Sequence, residues 1–415
     1  MKSSVTWLLI EKILRVLNGI LVGAAVARYL EPDAFGYLAV ALATISIFTA
    51  AAGMGAEHTN ISQLTKRAGI DQLFFSSIFL TRLVWSSAVS AVAVVYFLIQ
   101  GAGSIDSIYL ILLILIQTAA FSLFANAIAA HAEFKEMSII SVIGLLLGNA
   151  IRVYGIIQGY GIAYFAGCMV TESLISVCLN GGYLYCRHAL KPLSFSADFA
   201  VMKEYFYLCL PTSASATLVT IYLRIELFVV LYSLGKQSAG LWAAAMMFIT
   251  PWGMVANSIL PVANQLLAKK QLVVDSDYEK KMILLIRLML LLSVIFAFIN
   301  IITVGILAPL LLGDQYAPIV SIVAICSIGL IPLFMGSVQE IWIAHQNTTK
   351  VVLKKVLIGL PLSATFLWGG AMLYGLRGIA IAMVVSYVVT ALLLNWLFDR
   401  NFLFLQFRAL GIKNE

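Results

Sequence analysis

The chain has 415 residues, of which 62% are hydrophobic and 11% are charged, and its mean hydropathy is +1.00. Soluble domains carry about 25% charged residues, so this composition excludes an ordinary soluble fold. The net charge of +7 does not indicate nucleic-acid binding, because the basic residues are scattered over short loops instead of lying on one soluble face.

Apolar segments of membrane-spanning length follow one another along the whole chain. Three of them, 35–56, 107–130 and 379–397, contain no acidic or basic residue over about twenty positions, which matches the hydrocarbon core of a bilayer. The sequence predicts an all-α membrane protein of about twelve transmembrane helices. The predicted helices cover 7–28, 35–56, 73–99, 107–130, 139–158, 161–186, 206–234, 241–266, 282–312, 319–344, 356–375 and 379–399.

The distribution of lysine and arginine predicts how these helices are oriented. Seventeen of these residues fall on one side of the predicted helices, whereas only Arg28, Lys236 and Arg377 fall in the loops and helix ends of the other side. Basic residues concentrate on the cytoplasmic side of a membrane, so both termini are predicted to be cytoplasmic. The first apolar segment has no cleavage site after it, and we expect it to be a retained helix.

The two halves of the chain share a short sequence match. Residues 29–41 align with residues 233–245, and Leu30 and Gly36 recur 204 positions later. The aligned segments lie in corresponding hairpins. Since each half holds an even number of predicted helices, we expect two six-helix lobes related by a pseudo-two-fold axis along the membrane normal.

The longest polar stretch near the middle of the chain, 187–205, predicts the boundary between the lobes. We assign residues 1–190 to an N-terminal lobe with helices one to six and residues 191–205 to a cytoplasmic linker. Residues 206–399 form the predicted C-terminal lobe with helices seven to twelve, and residues 400–415 a cytoplasmic tail.

Charged side chains inside spanning helices are costly and usually face a watery cavity or a partner. In the first predicted helix, Ser4, Glu11, Arg15 and Asn18 fall on one face at 100° per residue, with Lys12 beside them. One interpretation is a cavity wall, in which Lys12, Arg15 and Asn18 bind substrate. The alternative is a local pair between Glu11 and Arg15 that extends to the inner surface.

The helix predicted at 206–234 carries an equivalent stripe of Ser213, Thr217, Thr220 and Arg224. Because this helix is the repeat counterpart of the first, Thr220 and Arg224 are further candidates for substrate binding. A structural pair between helices is the alternative for Arg224.

Other charged residues stand alone in long apolar runs. Arg82 and Arg152 are candidates to face the same cavity. The acidic residues Glu11, Glu172, Glu226 and Glu340 are candidates for coupling to an ion, although each could instead be paired with an arginine.

The segment 27–37, Ala-Arg-Tyr-Leu-Glu-Pro-Asp-Ala-Phe-Gly-Tyr, resembles the first outer loop of the Wzx-type O-antigen and polysaccharide flippases. Residues 375–382, Gly-Leu-Arg-Gly-Ile-Ala-Ile-Ala, resemble the last hairpin of that family. The resemblance implies the fold of the multidrug/oligosaccharidyl-lipid/polysaccharide exporter superfamily, in which two six-helix lobes surround a central cavity and work by alternating access.

The resemblance also implies a function in the bacterial inner membrane. The chain would flip a polyprenyl-pyrophosphate-linked oligosaccharide repeat unit from the cytoplasmic to the periplasmic leaflet, for O-antigen and lipopolysaccharide synthesis. Its partners would be a polysaccharide polymerase and a chain-length regulator. The excess of interior cations suits a pyrophosphate, which arginine binds through charge-assisted hydrogen bonds. The alternative is an ion-coupled multidrug or small-molecule exporter of the same fold, whose cavity should be acidic.

Sequence motifs for catalysis and cofactor binding are absent. There is no phosphate-binding loop, no H-E-x-x-H, no C-x-x-C and no G-x-S-x-G, and the five cysteines fall in predicted helices as packing residues. The four histidines lie at inner helix ends and are not expected to cluster. We therefore predict a transporter that is not an enzyme and has no cofactor or metal.

Overall fold

The computed structural model describes residues 2–66, 71–101, 106–188, 197–268, 276–346 and 350–411. Within these ranges the protein is helical and contains no strand. The helices are α1 (Lys2–Ala52), α2 (Glu57–Lys66), α3 (Gln72–Gln100), α4 (Ser107–Ala130), α5 (Phe134–Gln158), α6 (Ile162–His188), α7 (Phe199–Ala268), α8 (Ser276–Leu312), α9 (Ile319–Ile328), α10 (Leu330–Gln346), α11 (Lys350–Phe398) and α12 (Arg400–Ala409), with a short 3-10 turn at Asp314–Tyr316.

Three of the long helices contain a non-helical break. The break lies at Glu31 in α1 (φ 61°, ψ 165°), at Gly235 in α7 (φ 85°, ψ 178°), and at Tyr374 and Gly375 in α11. Each break separates two of the helices predicted from the sequence. Each of these helices therefore consists of two consecutive segments of membrane-spanning length.

Eight helices of the described chain are long and apolar enough to cross a membrane, or nine if α9 and α10, which are bent by 43° at Gly329, form one span. Three of these contain the breaks described above. The prediction of an all-α membrane protein with about twelve spanning segments is confirmed.

The chain folds into two compact units. Unit 1 contains residues 1–30 and 37–224, and unit 2 contains residues 31–36 and 225–415. The first part of α7 therefore groups with unit 1, although the predicted C-terminal lobe begins at residue 206. Hydrogen bonds explain this grouping, because the Thr212 and Ser213 hydroxyls donate to the carbonyls of Met54 and Ala51 at the end of α1.

The predicted linker and tail are partly helical. Residues 191–196 of the linker and 412–415 of the tail lie outside the described residues. Helix α7 begins at Phe199, where the Asp198 carboxylate accepts a hydrogen bond from the amide of Ala200 at 2.8 Å. Helix α12 occupies most of the predicted tail, and Asp399 caps its first turn by accepting from the amide of Phe402.

Two glycines of the sequence repeat bring backbones into direct contact within unit 2. A Cβ atom at Gly240 would lie 1.8 Å from the carbonyl oxygen of Pro32, and one at Gly36 would lie 2.2 Å from the carbonyl oxygen of Lys236. Gly36 and Gly240 are an aligned pair of the repeat, and so are the breaks at Glu31 and Gly235. The repeat thus places similar backbone turns side by side.

We expect Gly240→Ala to destabilise the protein by about 1–3 kcal/mol, because the new methyl group overlaps a carbonyl oxygen that belongs to fixed backbone. Gly305→Ala is the matched control, since nothing lies within 4 Å of the position of its Cβ in α8. Thermal unfolding of the purified protein in detergent measures both. Equal unfolding temperatures for the two variants would show that the contact is not close in solution.

Candidate functional site

The polar residues of α1 form a hydrogen-bonded group with α5. The Arg15 guanidinium donates to Glu11 Oε1 at 3.0 Å and to the Ser141 hydroxyl at 2.5 Å, and that hydroxyl donates to Glu11 Oε1 at 2.7 Å. The local pair that was the alternative interpretation is therefore present. The side chain of Arg15 nevertheless stays 47% exposed, so part of its guanidinium remains available to another anion.

Two other candidates lie on the same helix. Lys12 is exposed, and Asn18 is half-buried. The Asn18 side-chain oxygen makes no hydrogen bond to any described group. That oxygen is also shielded from solvent, so it is not accessible to a ligand in this structure.

Arg152 does not match the expectation that it faces an aqueous cleft. Its guanidinium pairs with the Glu172 carboxylate of α6 at 2.5 Å and also contacts Asn149 Oδ1 and the Met169 sulfur. The pair fits closely because α5 has Gly148 opposite Glu172, where a Cβ atom would lie 3.1 Å from the glutamate side chain. This buried ion pair joins α5 to α6, so neither Arg152 nor Glu172 is offered to a solvated cavity.

Arg82 is also buried, with 1% of its surface exposed. It donates from Nη2 to the Ala119 carbonyl at 2.6 Å and to the Ser122 hydroxyl at 2.8 Å, both on α4. Its Nε and Nη1 atoms make no hydrogen bond to the described residues. The expectation that Arg82 faces a cleft fails because its side chain is directed between packed helices of unit 1.

The hydroxyl groups of the polar stripe on α7 donate hydrogen bonds to backbone carbonyls within unit 1. The Thr217 and Thr220 hydroxyls donate to carbonyls one turn back in the same helix, at Ser213 and Ala216. Arg224 is exposed and lies at the end of unit 1. The structure therefore leaves the Arg224 side chain accessible to a ligand, whereas the Thr220 hydroxyl proton is used within its own helix.

The remaining candidate acids, Glu226 and Glu340, lie in unit 2. Glu226 is half-buried and accepts a hydrogen bond from the Tyr387 hydroxyl at 3.2 Å. Glu340 is exposed on α10.

Unit 2 contains a buried polar network that sequence reasoning missed. The Lys355 ammonium donates to Gln339 Oε1 at 2.6 Å and to Asn395 Oδ1 at 2.7 Å, and Gln339 Nε2 donates to Asp399 Oδ2 at 2.9 Å. Trp342 Nε1 also donates to Asp399, at 3.2 Å. The buried amides of Gln339 and Asn395 thus connect a half-buried cation to a carboxylate. The signal in the sequence was the presence of Gln339 and Asn395 in apolar runs.

The expectation that the histidines do not cluster is wrong for two of them. The rings of His131 and His188 stack with centroids 3.9 Å apart. His188 Nε2 lies 2.8 Å from Glu133 Oε2, and the Tyr183 hydroxyl donates to the same oxygen at 3.1 Å. The connection between α4 and α5 folds back on the end of α6, which a separation of 57 positions in the sequence could not show.

This cluster predicts a loss of stability in mild acid. Burial and the neighbouring His188 lower the pKa of His131. Burial would raise the pKa of Glu133, but hydrogen bonds from His188 and Tyr183 keep it below its usual value. Both groups bind protons less readily in the folded protein than in the unfolded chain, so unfolding takes up protons as the pH falls.

We therefore expect the wild-type protein to lose stability as the pH falls below about 6.5, the ordinary pKa of histidine. His131→Gln should flatten this part of the pH profile of unfolding temperature, whereas Glu133→Gln should lower stability mainly at higher pH. A profile that is unchanged in His131→Gln would exclude this role for the histidine.

The Arg152–Glu172 pair predicts a coupled effect on stability. Arg152→Met should lower the free energy of unfolding by on the order of 2 kcal/mol. This loss is smaller than for a fully buried pair, because Glu172 is 22% exposed. The double variant Arg152→Met/Glu172→Leu should recover much of this loss. Thermal unfolding in detergent completes the double-mutant cycle, with the exposed Arg187→Met as control. Purely additive effects would contradict the pairing.

Several solved structures share the fold. An inward-facing multidrug resistance transporter of the MATE family, in the MOP superfamily, has a TM-score of 0.71 at 15% identity, over 97% of this chain and 98% of that one. The lipid II flippase MurJ, in an inward closed conformation, has a TM-score of 0.74 at 14% identity, over 99% of this chain and 91% of that one. A MOP superfamily transporter from Pyrococcus furiosus has a TM-score of 0.58 at 14% identity, over 100% of this chain and 95% of that one.

At these identities the likeness concerns the fold, which is that of MOP-superfamily transporters. No curated protein matches the sequence significantly. The model of a family described as polysaccharide biosynthesis protein matches residues 25–321, well over half of the chain. This match includes the outer-loop motif and the glycine contact at Gly240. Because the match covers well over half of the chain, the chain belongs to the polysaccharide biosynthesis protein family.

Proposed function

We propose that this protein is a Wzx-type flippase of the bacterial inner membrane. It moves a polyprenyl-pyrophosphate-linked oligosaccharide repeat unit from the cytoplasmic to the periplasmic leaflet by alternating access. The observation that carries the proposal is the family match over residues 25–321 in a chain with a transporter fold. A polysaccharide polymerase and a chain-length regulator would use the repeat units that it delivers.

The exposed cations support a pyrophosphate as the group that is recognised. Lys12 and Arg15 lie within one turn of each other on α1, and Arg224 is exposed at the end of unit 1. Arginine binds phosphate oxygens through two parallel hydrogen bonds, and the partly exposed guanidinium of Arg15 can do this without leaving Glu11. These residues are the proposed contacts of the substrate.

Arg82, Arg152 and Thr220 are assigned to the framework in this proposal. The two arginines are buried in contacts within unit 1, and the threonine hydroxyl donates to its own helix. Arg82 joins α3 to α4, and Arg152 joins α5 to α6. The substrate site is therefore smaller than the sequence predicts, and it is concentrated on α1 and the first part of α7.

Ion coupling is assigned to Glu11, Glu226 and Glu340. Glu172 is excluded by its pair with Arg152. Glu11 shares its oxygen with Arg15 and Ser141, so its protonation would release Arg15 for the substrate. Glu226 and Glu340 are the corresponding candidates in unit 2.

An ion-coupled exporter of multidrug or small-molecule substrates is the alternative, since MATE transporters share the fold. A cationic drug requires carboxylates that are not already neutralised. Among the described residues of α1 before the break, however, the exposed ionic side chains are the cations Lys12, Arg15 and Arg28, and the exposed acids Glu31 and Asp33 lie at the break and beyond it. This distribution favours an anionic substrate.

We expect Arg15→Ala and Arg224→Ala each to reduce flipping by about tenfold or more, since hydrogen bonds to charged groups contribute about 1.5–3 kcal/mol. The measurement is restoration of surface polysaccharide in a flippase-null strain, together with the amount of lipid-linked repeat unit that accumulates in the cytoplasmic leaflet. Levels of membrane-inserted protein should be unchanged.

Two controls separate substrate binding from framework effects. Arg377→Ala removes an exposed arginine of unit 2 whose Nε donates to Ser321, and it should retain activity. Arg152→Met/Glu172→Leu should retain more activity than Arg152→Met alone. Full activity of both Arg15→Ala and Arg224→Ala would refute the pyrophosphate contacts and leave the family assignment unchanged.

A further inference from the structure

Helix α12 is fixed to unit 2 through its inner face. Phe402, Leu403, Leu405 and Ala409 on this face are buried. Gln406 is buried among them, and its side-chain oxygen accepts from Asn395 Nδ2 at 3.3 Å. The helix is therefore part of the fold of unit 2.

The far end of α12 is held by α8. Arg287 Nε donates to the Ala409 carbonyl at 3.0 Å and its Nη2 to the Arg408 carbonyl at 3.4 Å. A cation beside the last carbonyls of a helix also favours the helix dipole. Arg408 itself pairs with Glu279 of α8 at 3.1 Å. With both ends fixed, α12 presents one defined face outward.

The outward residues of α12 are basic and aromatic. Arg400, Phe404 and Arg408 recur every four positions and are exposed, with Phe404 48% exposed. The Arg400 guanidinium lies 5.3 Å from the ring centroid of Trp396, and its Nε donates to the Trp396 carbonyl. We name these four residues, Trp396, Arg400, Phe404 and Arg408, the α12 outer face.

Glu279 of α8 offsets part of the charge of Arg408, whose side chain stays 60% exposed, whereas Asp399 does not reduce the charge of this face. Asp399 is directed inward, where its carboxylate accepts from Trp342 and Gln339. The α12 outer face also follows directly on the spanning segment that ends at Phe398. It therefore lies where the chain leaves the hydrocarbon core and meets the lipid headgroups.

We propose that the α12 outer face binds the anionic phospholipid headgroups of the bilayer. Helices that lie in a membrane interface combine arginine or lysine with tryptophan, phenylalanine and leucine, because the aromatic groups enter the headgroup region while the cations contact phosphates. Anionic lipids attract basic side chains that lie next to a spanning helix. This interaction is separate from the proposed flipping of a glycan carrier.

The spacing of the cations favours phospholipids over the carrier itself. Arg400 and Arg408 are about 12 Å apart along the helix axis, since each residue rises by about 1.5 Å. One pyrophosphate cannot contact both, whereas two neighbouring headgroups with one phosphate each can. The face thus suits several singly charged lipids side by side.

Local photo-cross-linking tests this proposal in the full-length protein. Phe404→benzoylphenylalanine is placed in nanodiscs of equal phosphatidylglycerol and phosphatidylcholine, irradiated, and the cross-linked lipid is identified by mass spectrometry. We expect phosphatidylglycerol to exceed phosphatidylcholine several-fold, and Arg400→Gln to reduce this preference about fivefold. High salt should reduce it as well. Met372→benzoylphenylalanine, 72% exposed at the break in α11, should show no preference.

Further variants separate the possible explanations. Arg377→Gln, which removes an exposed arginine elsewhere in unit 2, should leave the preference at position 404 unchanged. Leu410→benzoylphenylalanine is a second probe if the first variant does not fold, since Leu410 is also exposed. Equal cross-linking of the two phospholipids, an equal loss in Arg400→Gln and Arg377→Gln, or preferred cross-linking to a small fraction of added polyprenyl pyrophosphate would each overturn the proposal.

Discussion

The contact between the backbones at Gly36 and Gly240 is the constraint on which the organisation of the spanning segments depends. Neither position has room for a Cβ atom, and each lies five residues after a break with φ between 61° and 85° and ψ near 170°. A helix that continued through either break could not bring these two turns together. The break at Glu31 is the more costly one, because a non-glycine residue with positive φ is strained, and its persistence indicates that the surrounding contacts enforce it.

Within this framework, two of the cations in the spanning helices are compensated inside their own units. Arg152 is neutralised by Glu172, and Lys355 reaches Asp399 through Gln339. An unpaired charge in lipid would cost several kcal/mol, so these contacts allow polar residues to occupy otherwise apolar helices. They also explain why a count of arginines in the sequence overestimates the size of a substrate site.

The helices and their breaks could be predicted from the sequence because both are local properties. Apolar length defines the spans, and Pro32, Gly36 and Gly375 mark the hairpins. Helices α2 and α12 could not be predicted in this way, since each is a ten-residue helix too short to span a membrane. Side-chain partners were also out of reach. The face of α1 that carries Arg15 follows from helical periodicity, but its contact with Ser141 depends on how α5 packs against it.

Whether a cation is enclosed by its own unit decides whether it can contact a transported anion. A cation that is fully enclosed by its unit cannot gain a new phosphate contact without losing an existing one, so it contributes little net binding energy. Arg15 differs, because its guanidinium shares a carboxylate with a serine hydroxyl and remains half exposed. In the proposed function, Glu11 and the phosphate of the substrate compete for the Arg15 guanidinium. Protonation of Glu11 weakens its hold on Arg15, and binding of a phosphate favours that protonation in return. The Glu11–Arg15 pair on α1 thus couples a proton to an anionic lipid carrier in the proposed function.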